Sequence, residues 1–346
     1  MTDPATAATR AKANWWAIVK PVLFVAVAAY VIRHGWQLWR DVDEHPARVN
    51  WGWVAASGLC STLAWLPPMF YWRWLLAERG YRIPAALLGY SYFAGHMGKY
   101  VPGKAAAVAV RCWLLKSVEV PLTVSGLTAV RETLVNMAVG LSLVFLLFPW
   151  LGESSRWARI VAGMVRLDGW RGAAWWLIGA ALACGALHGG TFLIGRVARK
   201  TVGVKDATAD EGSDWRSAER NRFSRTCLWF AILQAGWWLH GLAVACAVMA
   251  VTERSLQDVL SRLPVWTAAA SAGTTAGFFA LIAPGGLAVR EGFVMDLTAP
   301  VIGSAPAVLV AVLSRVALFT GELQALGVAW LWWRLRSVEH TTKIRG

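Results

Sequence analysis

The sequence has 346 residues, of which 57% are hydrophobic and 16% are charged, against about 25% charged in an average soluble protein. With 23 tryptophans, this composition excludes a cytosolic enzyme, a disordered chain and a secreted disulfide scaffold, and it indicates an all-α integral membrane protein. The net charge is +14. Because much of it lies in loops beside apolar segments, the expected partner is anionic lipid at the cytoplasmic face, with no nucleic acid.

Six stretches are long and apolar enough to be membrane spans, since a helical span needs about 20 mostly apolar residues. They are residues 14–33, 52–76, 122–150, 173–194, 227–251 and 305–333. The first stretch is similar to a signal peptide, but Lys20 interrupts its apolar run, so we expect an uncleaved anchor.

Two further apolar stretches, 84–116 and 264–300, are interrupted near their middles. The interruptions are Pro102-Gly103 in the first and Pro284-Gly285-Gly286 in the second. Proline removes a backbone donor and glycine loosens the chain, so each stretch is predicted to be a re-entrant hairpin or a pair of half-helices. An ordinary helix with a proline kink is the alternative.

The pattern of loops and spans predicts the topology. Segment 195–226 is polar and rich in Lys and Arg, so the positive-inside rule assigns this linker and both termini to the cytoplasm. We expect a single transmembrane domain, 1–346, in which the order span, span, hairpin, span occurs twice. The first repeat covers about 1–172 and the second, in inverted orientation, about 173–346.

Charged residues inside these apolar segments are candidates for a binding site, because each costs at least about 2.5–3.5 kcal/mol to insert. The candidates are Lys99, Lys104, Arg111, Arg131, Glu132, Arg290, Glu291 and Arg315, and Glu322 shares their setting. A half-helix that begins after a Pro-Gly break directs free N–H groups at an anion, and Lys and Arg add donors. The two breaks would meet near the midplane and bind a lipid phosphate. The alternative is a set of structural ion pairs, formed crosswise between the repeats.

Enzyme signatures are absent from the sequence. It has no Walker loop, no GxSxG, no HExxH and no CxxC spacing, so we expect no cofactor and no metal, and we favour a protein that is not an enzyme.

Two motifs carry a resemblance to a known family. The run from Gly98 to Lys104, followed by Arg111 and later by Ala129-Val130-Arg131-Glu132, resembles one signature of the lysylphosphatidylglycerol synthase transmembrane region, also called the flippase-like domain family. The run from Pro284 to Glu291, followed by Ser314-Arg315, resembles the other. The resemblance covers nearly the whole chain. Family members often carry a Gly-Glu pair before the first arginine, where this chain has Ala106, Ala107 and Val108.

The resemblance implies a bacterial or archaeal inner-membrane protein that handles lipids, first of all as a flippase. The chain ends a few residues after its last predicted span, so we expect no synthase domain and no aminoacylation of lipid by this chain alone. The leading hypothesis is a transporter that moves a phospholipid or a polyprenyl-phosphate lipid between leaflets. In it, the phosphate is held by Lys104, Arg111, Arg131, Arg290 and Arg315, and Glu132 and Glu291 orient these bases or relay protons. The alternatives are a membrane-embedded transferase acting on a polyprenyl-linked sugar and a non-catalytic envelope-biogenesis subunit.

Overall fold

The computed structural model describes residues 49–100, 105–147, 151, 215–280 and 284–345, and within these ranges it contains helices and no strands. The α-helices are α1 Trp51–Ala64, α2 Leu66–Ala77, α3 Ala85–Met97, α4 Ala105–Leu115, α5 Leu122–Leu147, α6 Trp215–Val251, α7 Leu256–Ser261, α8 Leu263–Phe279, α9 Val289–Ile302 and α10 Ser304–Arg345. The predicted spans 14–33 and 173–194 lie outside the described residues, as do Pro102, Gly103 and Lys104.

Three of the described helices are long and apolar enough to cross a membrane. They are Leu122–Leu147, Cys227–Val251 and Ser304–Arg336, which confirms long apolar helices over the predicted spans 122–150, 227–251 and 305–333. Helix α6 begins at Trp215, so the end of the predicted linker 195–226 is helical. The physical reason is that residues 215–226 contain no Gly or Pro and include several good helix formers.

The predicted span 52–76 is two helices rather than one. Helix α1 ends at Ala64, and α2 carries prolines in its first turn. Pro67 and Pro68 cannot donate hydrogen bonds to the preceding turn, which interrupts the helix. A Cβ atom on Gly236 of α6 would lie 2.9 Å from the Ala64 carbonyl oxygen. Glycine at this position therefore lets the backbone of α6 cover a carbonyl group that Pro68 leaves without its helical donor.

Both Pro-Gly stretches fold into helical hairpins, α3–α4 and α8–α9. The two helices of each hairpin contact one another, and glycines let them approach closely. A Cβ on Gly95 would lie 2.9 Å from the Ala107 carbonyl oxygen, and one on Gly273 would lie 2.8 Å from that of Arg290. This contact excludes a single kinked helix for either stretch.

The four hairpin helices are short. They contain 13, 11, 17 and 14 residues, which at 1.5 Å per residue gives about 16–26 Å. A bilayer core is about 30 Å thick, so none of the four has the length of a perpendicular span.

The remaining helices hold the two hairpins together. Helix α10 packs against α1, α3, α6 and α9, while α6 packs against α1, α2, α5 and α8. Large apolar side chains on α10 are exposed at intervals of three and four residues, namely Val312, Val316, Phe319 and Leu323. This spacing is typical of a helix face that contacts lipid.

Candidate functional site

The interruptions of the two hairpins lie against each other. The first turn (Gly98–Tyr100) contacts the second turn (Pro284–Gly286). Gly285 has a φ of 59°, a conformation that favours glycine. A Cβ there would lie 2.9 Å from Tyr100 Cδ1. Arg315 of α10 donates a hydrogen bond of 3.0 Å from Nη1 to the Gly285 carbonyl, so the last helix fixes the second turn.

Around these turns is a group of ionisable side chains that we call the central site. It consists of Lys99, Tyr100, Arg290, Glu291, Arg315 and Glu322. The first turn supplies the first two, the start of α9 supplies the next two, and α10 supplies the last two. Three cations therefore face two carboxylates, which leaves one net positive charge.

Glu322 joins the first turn to the last helix. Its side chain is fully buried. One carboxylate oxygen pairs with Lys99 Nζ, and the other accepts a 3.0 Å hydrogen bond from the Tyr100 hydroxyl. Lys99 Nζ also lies 5.1 Å from the ring centroid of Trp65. This geometry gives Lys99 a carboxylate partner and an aromatic face while it stays within the helical interior.

Arg315 and Glu291 form a looser pair. Arg315 Nη1 lies 3.4 Å from Glu291 Oε1, and each side chain is 15% exposed. At this separation the charges attract, but neither carboxylate oxygen of Glu291 has a hydrogen-bond partner in the described part of the chain. The Arg315 guanidinium also lies 5.4 Å from the ring centroid of Tyr100, so it spans both turns.

Arg290 has two buried donors without an acceptor in the described residues, whereas Arg111 and Arg131 have one each. It is 6% exposed, and its side chain packs over Gly273, where a Cβ would lie 3.2 Å from Arg290 Cγ. Within the described residues its Nε and Nη1 atoms have no hydrogen-bond partner. Such donors are costly to bury unless an acceptor reaches them. An anion with two oxygens matches the geometry of a guanidinium.

Arg111 and Glu132 form a separate, closed ion pair. Arg111 Nη1 lies 2.7 Å from Glu132 Oε2, and both side chains are buried. The other carboxylate oxygen accepts a 3.3 Å hydrogen bond from Tyr92, and the guanidinium lies 4.3 Å from the Tyr92 ring centroid. The alternative of a structural ion pair therefore describes these two residues, although the pair forms within the first half of the chain and not crosswise. The Glu132 carboxylate therefore balances the charge of Arg111, which was predicted to hold a lipid headgroup.

Arg131 is also outside the central site. Its electrostatic neighbour is Tyr71 of α2, and its Nε has no hydrogen-bond partner among the described residues. It follows Glu132 directly in α5, and adjacent residues of a helix point in different directions. Of the eight predicted binding residues, the structure brings together Lys99, Arg290, Glu291 and Arg315, and Lys104 lies outside the described residues.

Two members of the central site were not predicted to bind. Tyr100 has no charge in its usual state and gives no signal in the sequence. Glu322 is a carboxylate inside the predicted span 305–333, which is a signal in itself. However, its partner Lys99 is 223 positions away, so the pairing needed the fold.

The described residues contain no group of three or more His, Cys, Asp and Glu side chains that could hold a metal ion.

Taken together, the long apolar helices and the absence of strands in the described residues define a helical membrane protein, and the central site places bases and carboxylates in its interior. The chain belongs to the family of the lysylphosphatidylglycerol synthase TM region, whose sequence profile matches residues 17–321. Comparison with curated proteins and with solved structures gives no match.

Proposed function

We propose that this protein is a flippase-like lipid transporter of the inner membrane, which moves a phosphate-bearing lipid or a polyprenyl-phosphate lipid between leaflets. The observation that carries the proposal is the buried Arg290 side chain, whose Nε and Nη1 atoms lack an acceptor in the described chain. Its family handles lipid, and the abundant anions of a membrane are lipid phosphates. A lipid phosphate would therefore supply the acceptor and neutralise the excess positive charge.

The proposal includes a topology in which six spans and two re-entrant hairpins form inverted repeats with both termini in the cytoplasm. Two observations support it. A pair of short helices followed by a long helix occurs on both sides of the segment between α5 and α6, as α3–α4 with α5 and as α8–α9 with α10. The hairpin helices are also short, with 11 to 17 residues, which is typical of interrupted helices at transporter binding sites.

The headgroup step follows from the contacts of the central site. A phosphate that enters between the two turns would bind Arg290 first, because the Nε and Nη1 donors of this guanidinium have no acceptor in the described residues. It then competes with Glu322 for Lys99 and with Glu291 for Arg315, because each base has one carboxylate partner. Release reverses these exchanges, so the site returns to its ion-paired state without a covalent step.

The test is lipid flipping in proteoliposomes that contain the full chain. The probes are fluorescent phosphatidylglycerol and a short fluorescent polyprenyl phosphate, each with and without an imposed proton gradient. Arg290→Met keeps most of the side-chain volume and removes the charge, Arg290→Lys keeps the charge, and Arg82→Met removes an exposed arginine of the loop before α3 as the matched control. A charged hydrogen bond is worth about 1.5–3 kcal/mol, so we expect Arg290→Met to slow flipping by at least about tenfold.

We expect Arg290→Lys to retain part of the activity and Arg82→Met to flip at the wild-type rate. Thermal unfolding in detergent checks that the variants fold. Flipping by folded Arg290→Met at the wild-type rate would contradict the central site. The absence of flipping of both probes by the wild type would contradict the transporter and favour the transferase or the non-catalytic subunit.

A further inference from the structure

An open apolar groove lies between α3 and α10. Its volume is about 380 Å³, and it is lined by Tyr90, Ala94, Leu323, Leu326, Gly327 and Trp330. On α10, Leu323, Leu326 and Trp330 continue a stripe that begins at Phe319, with spacings of four, three and four residues. This spacing places the four side chains on one face of a helix.

One end of the groove lies near the central site. Phe319, one turn before Leu323 on the same face of α10, packs edge-to-face on Tyr100 with ring centroids 5.2 Å apart. At the other end Tyr90 stacks on Trp333 with centroids 5.0 Å apart. From Phe319 to Trp333 the helix rises about 21 Å, so an extended chain can lie along it.

Small residues keep this groove open. A Cβ atom on Gly327 would have no heavy atom within 4 Å, and Ala94 supplies only a methyl group on the facing helix. A glycine in a helix interior costs about 1 kcal/mol relative to alanine. Gly327 therefore maintains a space that a larger side chain would fill without a clash with the protein.

We infer that the α3–α10 groove binds one hydrocarbon chain of the transported lipid, while the phosphate of the same lipid occupies the central site. The inference rests on the proposed function and adds a second subsite to it. The lining is mainly apolar, the stripe of α10 that lines the groove begins at Phe319 against Tyr100, and the lining residues Leu323 and Trp330 are exposed on the surface of an apolar helix. A lipid chain that leaves a headgroup at Lys99 would enter this groove first.

The experiment uses phosphatidylglycerol with a photoreactive diazirine in one acyl chain, reconstituted with the full chain. After irradiation, mass spectrometry maps the labelled peptides. In the wild type we expect labelling concentrated on α3 and α10. Gly327→Phe fills the groove, and because each buried methylene is worth about 0.8 kcal/mol, the loss of two or more lowers groove labelling by at least about tenfold.

Val328→Phe is the matched control, since it adds the same ring at the next position of α10, where the side chain is 69% exposed. We expect the photolabelling of α3 and α10 in Val328→Phe to equal that in the wild type. Flipping is measured on the same variants, and Gly327→Phe should slow it while leaving the charged residues intact.

The two proposals fail in different ways. Uniform labelling of all exposed helices would contradict the groove as a lipid-chain site, and so would equal labelling of Gly327→Phe and the wild type. If the wild type still flips lipid in that case, the transporter proposal stands. If the wild type does not flip lipid, the proposed function is contradicted. Concentrated labelling that Gly327→Phe removes would then still uphold the groove as a lipid-chain site.

Discussion

Lys99 and Glu322 form a partly buried ion pair between the first hairpin and the last helix, although 223 positions separate them in the chain. The same carboxylate accepts a hydrogen bond from Tyr100. Arg290 lies in the field of Glu322 but has donors without acceptors in the described residues. The central site thus combines a base that is ion-paired with a carboxylate and a base without a hydrogen-bonded carboxylate among the described residues. Under the proposed function, an incoming phosphate would compete with Glu322 for the first base.

This relationship predicts the effect of Glu322→Gln. The amide keeps an acceptor oxygen for Lys99 and Tyr100, but it removes the negative charge that competes with a phosphate. Because a charge at close range in a protein interior acts through a low effective dielectric constant, we expect phosphatidylglycerol to bind at least about tenfold more tightly. Binding is measured by native mass spectrometry across a lipid titration, and flipping should become slower because release is impaired.

Glu119→Gln is the control for Glu322→Gln. It neutralises an exposed glutamate just after α4, and we expect no change in lipid affinity. Equal affinity of Glu322→Gln and the wild type would show that Glu322 does not compete with the ligand.

A second prediction concerns the closed pair of Arg111 and Glu132. Each residue balances the buried charge of the other, so removing one partner leaves an isolated charge. We expect Arg111→Met and Glu132→Leu each to lower the free energy of unfolding by about 3–5 kcal/mol. The double variant should recover most of this loss, since it replaces a buried pair by apolar side chains. Reversible unfolding of the four proteins in detergent gives the double-mutant cycle.

The same cycle separates structure from binding. If the double variant is stable and still flips lipid, Arg111 and Glu132 are structural. A double variant that folds but does not flip would return Arg111 to the binding site that its position in the sequence predicted.

The interruption of the two apolar stretches was predictable from the sequence, whereas the re-entrant topology stays a prediction. The breaks at Pro102 and Pro284 divide two apolar stretches, and proline and glycine disfavour a continuous helix for local reasons. Helix α8 begins at Leu263 and α9 ends at Ile302, close to the predicted limits of 264–300. The break between α1 and α2 has the same cause, the prolines Pro67 and Pro68. It was not predicted, because the length and hydropathy of 52–76 favour a single span.

The partners of the charged residues were not predictable in the same way. Arg111 and Arg290 follow similar Pro-Gly motifs, yet the first meets a buried carboxylate and the second does not. The difference depends on which residue of a distant helix faces each arginine. Glu132 and Glu322 are 21 and 223 positions from the bases they contact. Local sequence carries no information on such pairings, which tertiary packing decides.

A third prediction uses the backbone of the second turn. Gly285 has a positive φ, and a Cβ there would lie 2.9 Å from Tyr100 Cδ1 and 3.0 Å from Arg315 Nη2. We expect Gly285→Ala to destabilise the protein, because the left-handed conformation alone costs about 1–2 kcal/mol, and to slow flipping by separating the two turns. Gly292→Ala in α9 is the matched control, since its Cβ would meet no heavy atom within 4 Å. A Tm for Gly285→Ala at or above that of Gly292→Ala would contradict the contact.

The last prediction concerns pH and the short helix α7, outside the candidate spans. Hydrogen bonds from Arg254 and then from Arg262 lower the pKa of Asp258 below its ordinary value, and Arg254 also donates to the Val301 carbonyl at the end of α9. A carboxyl group whose pKa is lowered in the folded state adds stability at neutral pH. That stability is lost as the pH falls below the unfolded value of about 3.9 and through the lowered pKa.

We therefore expect Asp258→Asn to have a lower Tm than the wild type at pH 7, and the difference to shrink as the pH falls towards 3. Thermal unfolding of Asp258→Asn and the wild type from pH 7 to 3 measures this difference in Tm. Because the other carboxylates titrate in both proteins, their contribution cancels in the difference. High salt should also reduce the difference at pH 7, because exposed ion pairs are screened. Glu253→Gln removes an exposed carboxylate from the segment just before α7 and controls for the loss of one negative charge. A difference between Asp258→Asn and the wild type that stays constant with pH would mean that Asp258 stabilises this loop by packing and not through its two arginines.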